Sequence, residues 1–123
     1  MDMHKHRIIV AGGRKFDDFW LLRDTLDNLT QNLDKNDIEV VSGCASGADS
    51  LGELWAEEFD VEVARFPADW NAHGKGAGYI RNRKMAEYAT HLIAFWDGKS
   101  RGTHNMILIA REYSLKVRVI RYE

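Results

Sequence analysis

Glycine, cationic side chains or both recur at four places in this chain, a composition that suits phosphate binding. The segments are Ala11-Gly12-Gly13-Arg14-Lys15, Ser42-Gly43-Cys44-Ala45-Ser46-Gly47-Ala48-Asp49, Asp69-Trp70-Asn71-Ala72-His73-Gly74-Lys75-Gly76-Ala77-Gly78 and Asp97-Gly98-Lys99-Ser100-Arg101-Gly102-Thr103. The first, second and fourth follow apolar or β-branched runs, and each of the four precedes a helix-like stretch. Glycine lets backbone come close to a ligand, and a helix N-terminus offers free N–H groups and a positive dipole end. Four such junctions at one end of a parallel sheet would bind a phosphorylated small molecule at one face.

Each segment also admits a purely structural use. Gly12-Gly13-Arg14 is either a tight turn or a ligand contact. It lacks the G-x-G-x-x-G dinucleotide pattern, and Arg14 adds bidentate capacity for phosphate. Ser42 to Asp49 is almost all small residues, so its N–H groups can form an anion-binding nest. Helix capping by Ser46 or Asp49 is the alternative, and both uses can coexist. Cys44 reads as a small filler, because the sequence offers its thiol no activating partner. Trp70 either stacks on a base or plugs the loop against the sheet. His73 is a proton carrier, a phosphate donor or a structural hydrogen-bonding group.

Arg81, Arg83 and Lys84 surround Asn82 near a helix start, where cations oppose the dipole and an anion would relieve them. A solvated basic face, with Glu87 pairing to Arg83 or Lys84, is the plainer reading. Gly98 to Thr103 lacks Walker spacing, which excludes a P-loop ATPase and leaves Thr103 as cap or phosphate donor. The histidines His4, His6, His73, His91 and His104 show no ligand spacing, so no metal site and no cofactor are expected.

Regular elements must hold these segments. Ile8–Ala11 predicts a buried first strand. Phe19, Leu22, Leu26, Leu29 and Leu33 recur at helical spacing between Asp17 and Leu33, with Asp17 or Asp18 as N-cap. A strand over Ile38–Val41 and a helix over about Ala48–Phe59 follow, the helix with Leu51, Leu54 and Trp55 on one face. The only proline, Pro67, ends a third strand over Val61–Phe66. A loop of about ten residues then leads to a helix near Gly78–Tyr88, longer than most such connections. A strand over His91–Trp96, a helix over Thr103–Ser114 and a strand over Val117–Tyr122 complete the alternation. The fold expected is α/β: a three-layer Rossmann-like sandwich with a five-stranded parallel sheet in the order 3-2-1-4-5.

The chain has 123 residues, 45% of them hydrophobic, with no linker or repeat, so one domain over 1–123 is expected. Seventeen basic against nineteen acidic residues give a formal net charge of -2, which argues against a dedicated duplex binder. A single cysteine excludes an intrachain disulfide and suits a cytoplasmic location. The segment Met1–Arg7 leads into only a short apolar run and reads as neither signal peptide nor spanning helix. The partners expected are a nucleotide-like small molecule, no membrane, no duplex nucleic acid, and room for a homo-oligomer.

Val10–Arg14, Ser42–Asp49, Phe66–Trp70, His73–Lys75, Ala77-Gly78, Arg81-Asn82 and Gly102-Thr103 resemble the YspA/YpsA-related branch of the SLOG superfamily, over almost the whole chain. The superfamily takes in LOG-type phosphoribohydrolases and Smf/DprA DNA-processing proteins. The resemblance implies a Rossmann-like fold that binds nucleotides or their derivatives. LOG enzymes carry an Arg-Lys pair, to which Arg83-Lys84 is similar, and a glycine segment matched here only at Gly98, Gly102 and Thr103. Their glutamate position falls on Met106, and a carboxylate is the natural stabiliser of an oxocarbenium-like centre.

The leading expectation is therefore binding of a nucleotide-derived phosphorylated molecule, for sensing, sequestration or processing. Phosphate would sit on Gly43–Asp49 and Gly98–Thr103, with Arg14, Arg81 and Arg101 neutralising it. The rivals are glycosidic cleavage or phosphoribosyl transfer, with Asp49, Asp69 or Arg83 as catalytic candidates, and single-stranded DNA binding of the Smf type.

Overall fold

Along the first strand, Ile8 and Val10 pack into one apolar cluster while Ile9 and Ala11 pack into another on the opposite side. A sheet apolar on both faces must be covered on both, and this alternation sets the layering of the protein. The structure is a computed structural model describing residues 4–123. The sequence reading of Met1–Arg7 falls partly outside the described residues.

Five strands, β1 (His6–Gly12), β2 (Ile38–Ser42), β3 (Glu62–Arg65), β4 (His91–Trp96) and β5 (Lys116–Arg121), form one sheet in the order β3-β2-β1-β4-β5. All neighbouring pairs are parallel, with Ile9 opposite Val41 on one side and Leu92 on the other. Helices α1 (Phe19–Thr30) and α2 (Ala48–Glu58) bury Leu22, Leu26, Trp55 and Ala56 against Ile8, Val10, Val40 and Phe95. Helices α4 (Ala77–Tyr88) and α5 (Arg101–Glu112) bury Met85, Ala86, Met106 and Ala110 against Ile9, Ala11, Val41 and Leu92. The result is the three-layer Rossmann-like sandwich that the alternation of elements predicts.

Three local expectations need correction. The stretch expected to be a loop before α4 is helical: α3 (Trp70–His73) and a 3₁₀ turn over Gly74–Gly76 run directly into it. Asp69 caps α3 by accepting the Ala72 N–H at 3.0 Å. Leu54 is exposed, so α2 packs through Ala48, Gly52, Trp55 and Ala56 instead. Helix α5 starts at Arg101 with Ser100 as N-cap, which displaces Thr103 from that role.

Gly52 is where α2 crosses β1. A Cβ there would lie 2.8 Å from both Cβ and Cγ1 of Val10, and Val10 is buried in the sheet. Gly52→Ala gains about 1 kcal/mol of helix propensity but overpacks a rigid contact costing about 1–3 kcal/mol. We expect a net loss of up to about 2 kcal/mol, read as a lower urea midpoint with unchanged slope.

Candidate functional site

The chain leaves β1 toward β2 on one side of the sheet, while β4 lies on the other. The crevice at this reversal is where open α/β sheets hold ligands. Here it has a volume of about 280 Å³, at the lower end for small-molecule clefts. Its floor is Ala11 and Gly12 at the end of β1, with Met85 of α4 and Met106 of α5. Its walls carry Arg14, Ala45 and Asp49 on one side, Ser100, Gly102 and Thr103 on another, and Trp70, Lys75, Gly78, Tyr79, Arg81 and Asn82 on the third.

Two turns interlock at its edge. The Gly13 carbonyl accepts N–H bonds from Phe16 and from Ala48, both at 3.2 Å. Gly47 has φ +79°, and a Cβ there would stand 2.1 Å from the Gly13 oxygen, so only glycine fits. Ser46 Oγ donates to the Arg14 carbonyl at 3.2 Å and adds a second tie between the turns.

Helix α4 supplies the opposite wall through residues spaced by three and four. Gly78, Arg81, Asn82 and Met85 share one face and line the crevice. Asn82 is buried; its Nδ2 donates to Asn105 Oδ1 at 3.0 Å, and its Oδ1 accepts from Arg81 Nε at 3.0 Å. The Arg81 guanidinium also donates to the Gly43 carbonyl, tying α4 to the loop after β2. Burial holds Arg81 below the ordinary guanidinium range, while the nearby Asp49 acts in the other direction.

Asp49 is the carboxylate of the crevice. Burial raises its pKa from 3.8 to about 6, against the Ala45 N–H it accepts at 3.2 Å and the charge of Arg81. Trp70 is 50% exposed and stands on the rim, with the Arg14 guanidinium carbon 6.0 Å from its ring centroid. It does not plug the loop against the sheet.

Several expected site residues lie elsewhere. Ser42 is buried and donates to Glu53, which also accepts from Arg65. Gly43 and Ser46 line a neighbouring hollow rather than the crevice. Asp69 and His73 line a third depression with Lys84. Gly98 packs on Arg121, and Arg101 is exposed on the first turn of α5. Arg83 points away: it donates to Glu112 and Tyr113, and Glu87 accepts from Tyr113 rather than pairing with Arg83. Burial pushes the exposed Cys44 thiol up, and Glu53 adds to the effect, so it is not an activated nucleophile.

Lys75, Tyr79 and Ser100 were not singled out from sequence. Ser100 was the most accessible of them, since a serine three residues before Thr103 is a capping signature. Among the described residues one group brings metal-ligating atoms within 4.8 Å of one another: His4, Glu39 and Glu62, which expected histidine spacing did not reveal. It lies at the amino end of the sheet, where His4 pairs with both carboxylates, and plays no part in the crevice.

A Rossmann-like α/β fold with a glycine- and arginine-lined crevice at its switch point is thus in place. The chain belongs to the YspA, cpYpsA-related SLOG family, whose pattern matches residues 6–73. The Gene 61 protein of Mycobacterium phage D29 is 33% identical over 120 residues, covering 90% of this chain and 93% of that protein. DNA processing protein A (DprA) from Streptococcus pneumoniae superposes with a TM-score of 0.75 at 17% identity, over 98% of this chain. The chain spans about half of that protein, 51% of its length. DNA processing protein A from Helicobacter pylori superposes with a TM-score of 0.68 at 18% identity, over 98% of this chain and 67% of that one. These two likenesses show the fold.

The Helicobacter pylori structure is described for that protein's single-stranded DNA binding mode. It corrects the partner expectation, which named a nucleotide-like small molecule, set duplex nucleic acid aside on net charge and kept single-stranded DNA only as a rival. A protein with this fold takes a single DNA strand, so the fold does not restrict its partners to nucleotide-like small molecules. Among the described residues no helix is long and apolar enough to cross a membrane.

The Asp49 carboxyl has a definite pH signature. Between 3.8 and about 6 the folded protein holds a proton that the unfolded chain releases. This contribution to stability is complete below 3.8 and is lost as pH rises through about 6. Asp49→Asn keeps an uncharged acceptor for the Ala45 N–H at every pH. The variant is expected to gain on the wild type as pH rises from 4 to 7, by at most on the order of 3 kcal/mol. Urea midpoints of both proteins across that range test it, and parallel curves would remove Asp49 as the titrating group.

Proposed function

We propose that this protein binds single-stranded nucleic acid, taking one nucleotide unit of the strand into the crevice at the carboxyl ends of the strands. The observation that carries this reading is Trp70, a half-exposed indole on the rim with the Arg14 guanidinium beside it and Arg81 below. An exposed aromatic stacks on an unpaired base for about 1–3 kcal/mol, and it can do so only where the base is free of a duplex. Arginine supplies the phosphate contact. The family membership and the single-stranded DNA binding of a protein with the same fold support the same class of partner.

The net charge of -2 does not oppose it. Arg14, Lys75 and Arg81 line the crevice against the single acid Asp49, whose raised pKa of about 6 leaves it easily neutralised beside an anion. The local field is positive although the whole chain is not.

Titration of a labelled oligothymidylate, followed by fluorescence anisotropy at several salt concentrations, tests the proposal. Affinity should fall linearly on logarithmic axes as salt rises. Arg14→Ala should weaken binding by roughly 10- to 150-fold, the loss of a charge-assisted contact worth about 1.5–3 kcal/mol, with little change in stability because Arg14 is exposed. The matching duplex should bind more weakly than the single strand. A protein that ignores oligonucleotides would overturn the reading.

One observation favours a second reading. Asp49 is a buried carboxyl inside the crevice, and a carboxylate there would supply the negative charge that stabilises an oxocarbenium-like centre. Met106, buried on the floor and matched in sequence to the glutamate of LOG-type enzymes, supplies no such charge. We expect no free base from nucleoside 5′-monophosphates incubated with the protein. Release of base that disappears in Asp49→Asn would establish glycosidic cleavage instead.

A further inference from the structure

Trp70 does not stand at the edge of one hollow but between two. On its other side lies a second hollow of about 320 Å³, formed by the loop after β2 and the segment after β3. Arg14, Ala45, Trp70 and Arg81 border both. We propose that the crevice and this hollow are adjoining subsites for two consecutive nucleotide units of one strand, with Trp70 and Arg14 as the partition, so that the smallest fully recognised ligand is a dinucleotide. The inference rests on the nucleic-acid reading above.

The chemistry of the two sides differs in a way that suits this division. The crevice holds Asp49 and Lys75 as well as the shared cations. The second hollow is walled by Cys44, Ser46, Pro67 and Ala68 and has no acidic side chain on its lining. Its proline and alanine offer apolar contact to a base and sugar. The cations common to both sides are Arg14 and Arg81. A linkage running from one hollow to the other carries its negative charge past that pair, which is where a phosphodiester needs a donor. The indole stands beside the same crossing, half-exposed, and offers a flat apolar surface for a base.

The geometry also explains why Arg14 stands next to the ring. Its guanidinium carbon lies 6.0 Å from the Trp70 centroid, at the outer limit of a cation–π contact. The side chain is exposed and free to turn toward either subsite. Arg81 is anchored on Gly43 and Asn82 and fixes the inner side of the crossing.

The test is a length series of thymidylates, from the 5′-monophosphate through the dinucleotide and trinucleotide to a twelve-unit strand, competing against the labelled oligonucleotide. The dinucleotide should bind at least about fivefold more tightly than the mononucleotide, the lower end for stacking one further base. The third unit should add much less. Ala68→Trp fills the second hollow and should remove the step from one unit to two. Dinucleotides with one base deleted, used on the wild-type protein, probe the same step without relying on the folding of a variant, and they should bind at least about fivefold more weakly than the intact dinucleotide. Equal affinity of one and two units, or a gain that simply continues with length, overturns the two-subsite inference while the nucleic-acid reading stands. Failure of every oligonucleotide to compete overturns both.

Discussion

The Gly13 carbonyl oxygen receives two N–H groups, one from Phe16 in its own turn and one from Ala48 at the start of α2. This shared acceptor locks the turn after β1 to the turn after β2, and the crevice inherits its shape from that lock. Gly47 must take φ +79° because any side chain would strike the Gly13 oxygen. With Gly47 fixed, α2 begins at Ala48 and lays Asp49 along the crevice wall. Arg14 follows directly and emerges beside Trp70. Loosening this contact would displace an acid, a cation and a helix start together.

The opposite wall is held by a different device. Arg81 spans from α4 to the Gly43 carbonyl, and Asn82 spans from α4 to α5 through Asn105. Both side chains are partly consumed by structure, which preorganises them for an anion and lowers the conformational entropy lost on binding. Arg81 is therefore a scaffold residue as well as a cation, whereas Arg14 is free to serve the ligand. Burial that raises the pKa of Asp49 and lowers that of Arg81 is one cause acting on two charges of opposite sign.

Net charge and the charge around the crevice differ. The total of -2 is set largely by acids spread over the outer helices and turns, such as Asp24, Glu57 and Glu112, which lie on exposed surface away from the crevice. A sequence count sums them with equal weight, while a ligand in a low-dielectric cleft feels the nearest charges most. The same loss of place explains Arg83. It matches a family's basic pair in sequence, yet two residues along a helix is a turn of about 200°, so Arg81 and Arg83 face opposite ways. The spacing of Gly78, Arg81, Asn82 and Met85 carried that signal.

The sequence by itself determined the elements and their order. Apolar runs separated by helical periodicities define parallel strands, and right-handed crossovers leave few ways to arrange them, so the order 3-2-1-4-5 and the location of a crevice at the switch point were legible. Gly12, Arg14, Asp49, Trp70 and Arg81 were legible as chemistry from residue type and position after a strand. Only the tertiary structure decided which of these meet. It turned Ser42 into the core, sent Gly98 onto Arg121, gave the cap of α5 to Ser100, and made the stretch before α4 helical. It also placed Trp70 between two hollows rather than over one. Periodicity and residue type report local preference. Burial, pKa and the sharing of one side chain by two cavities arise from packing between segments far apart in the chain, and no local pattern records them.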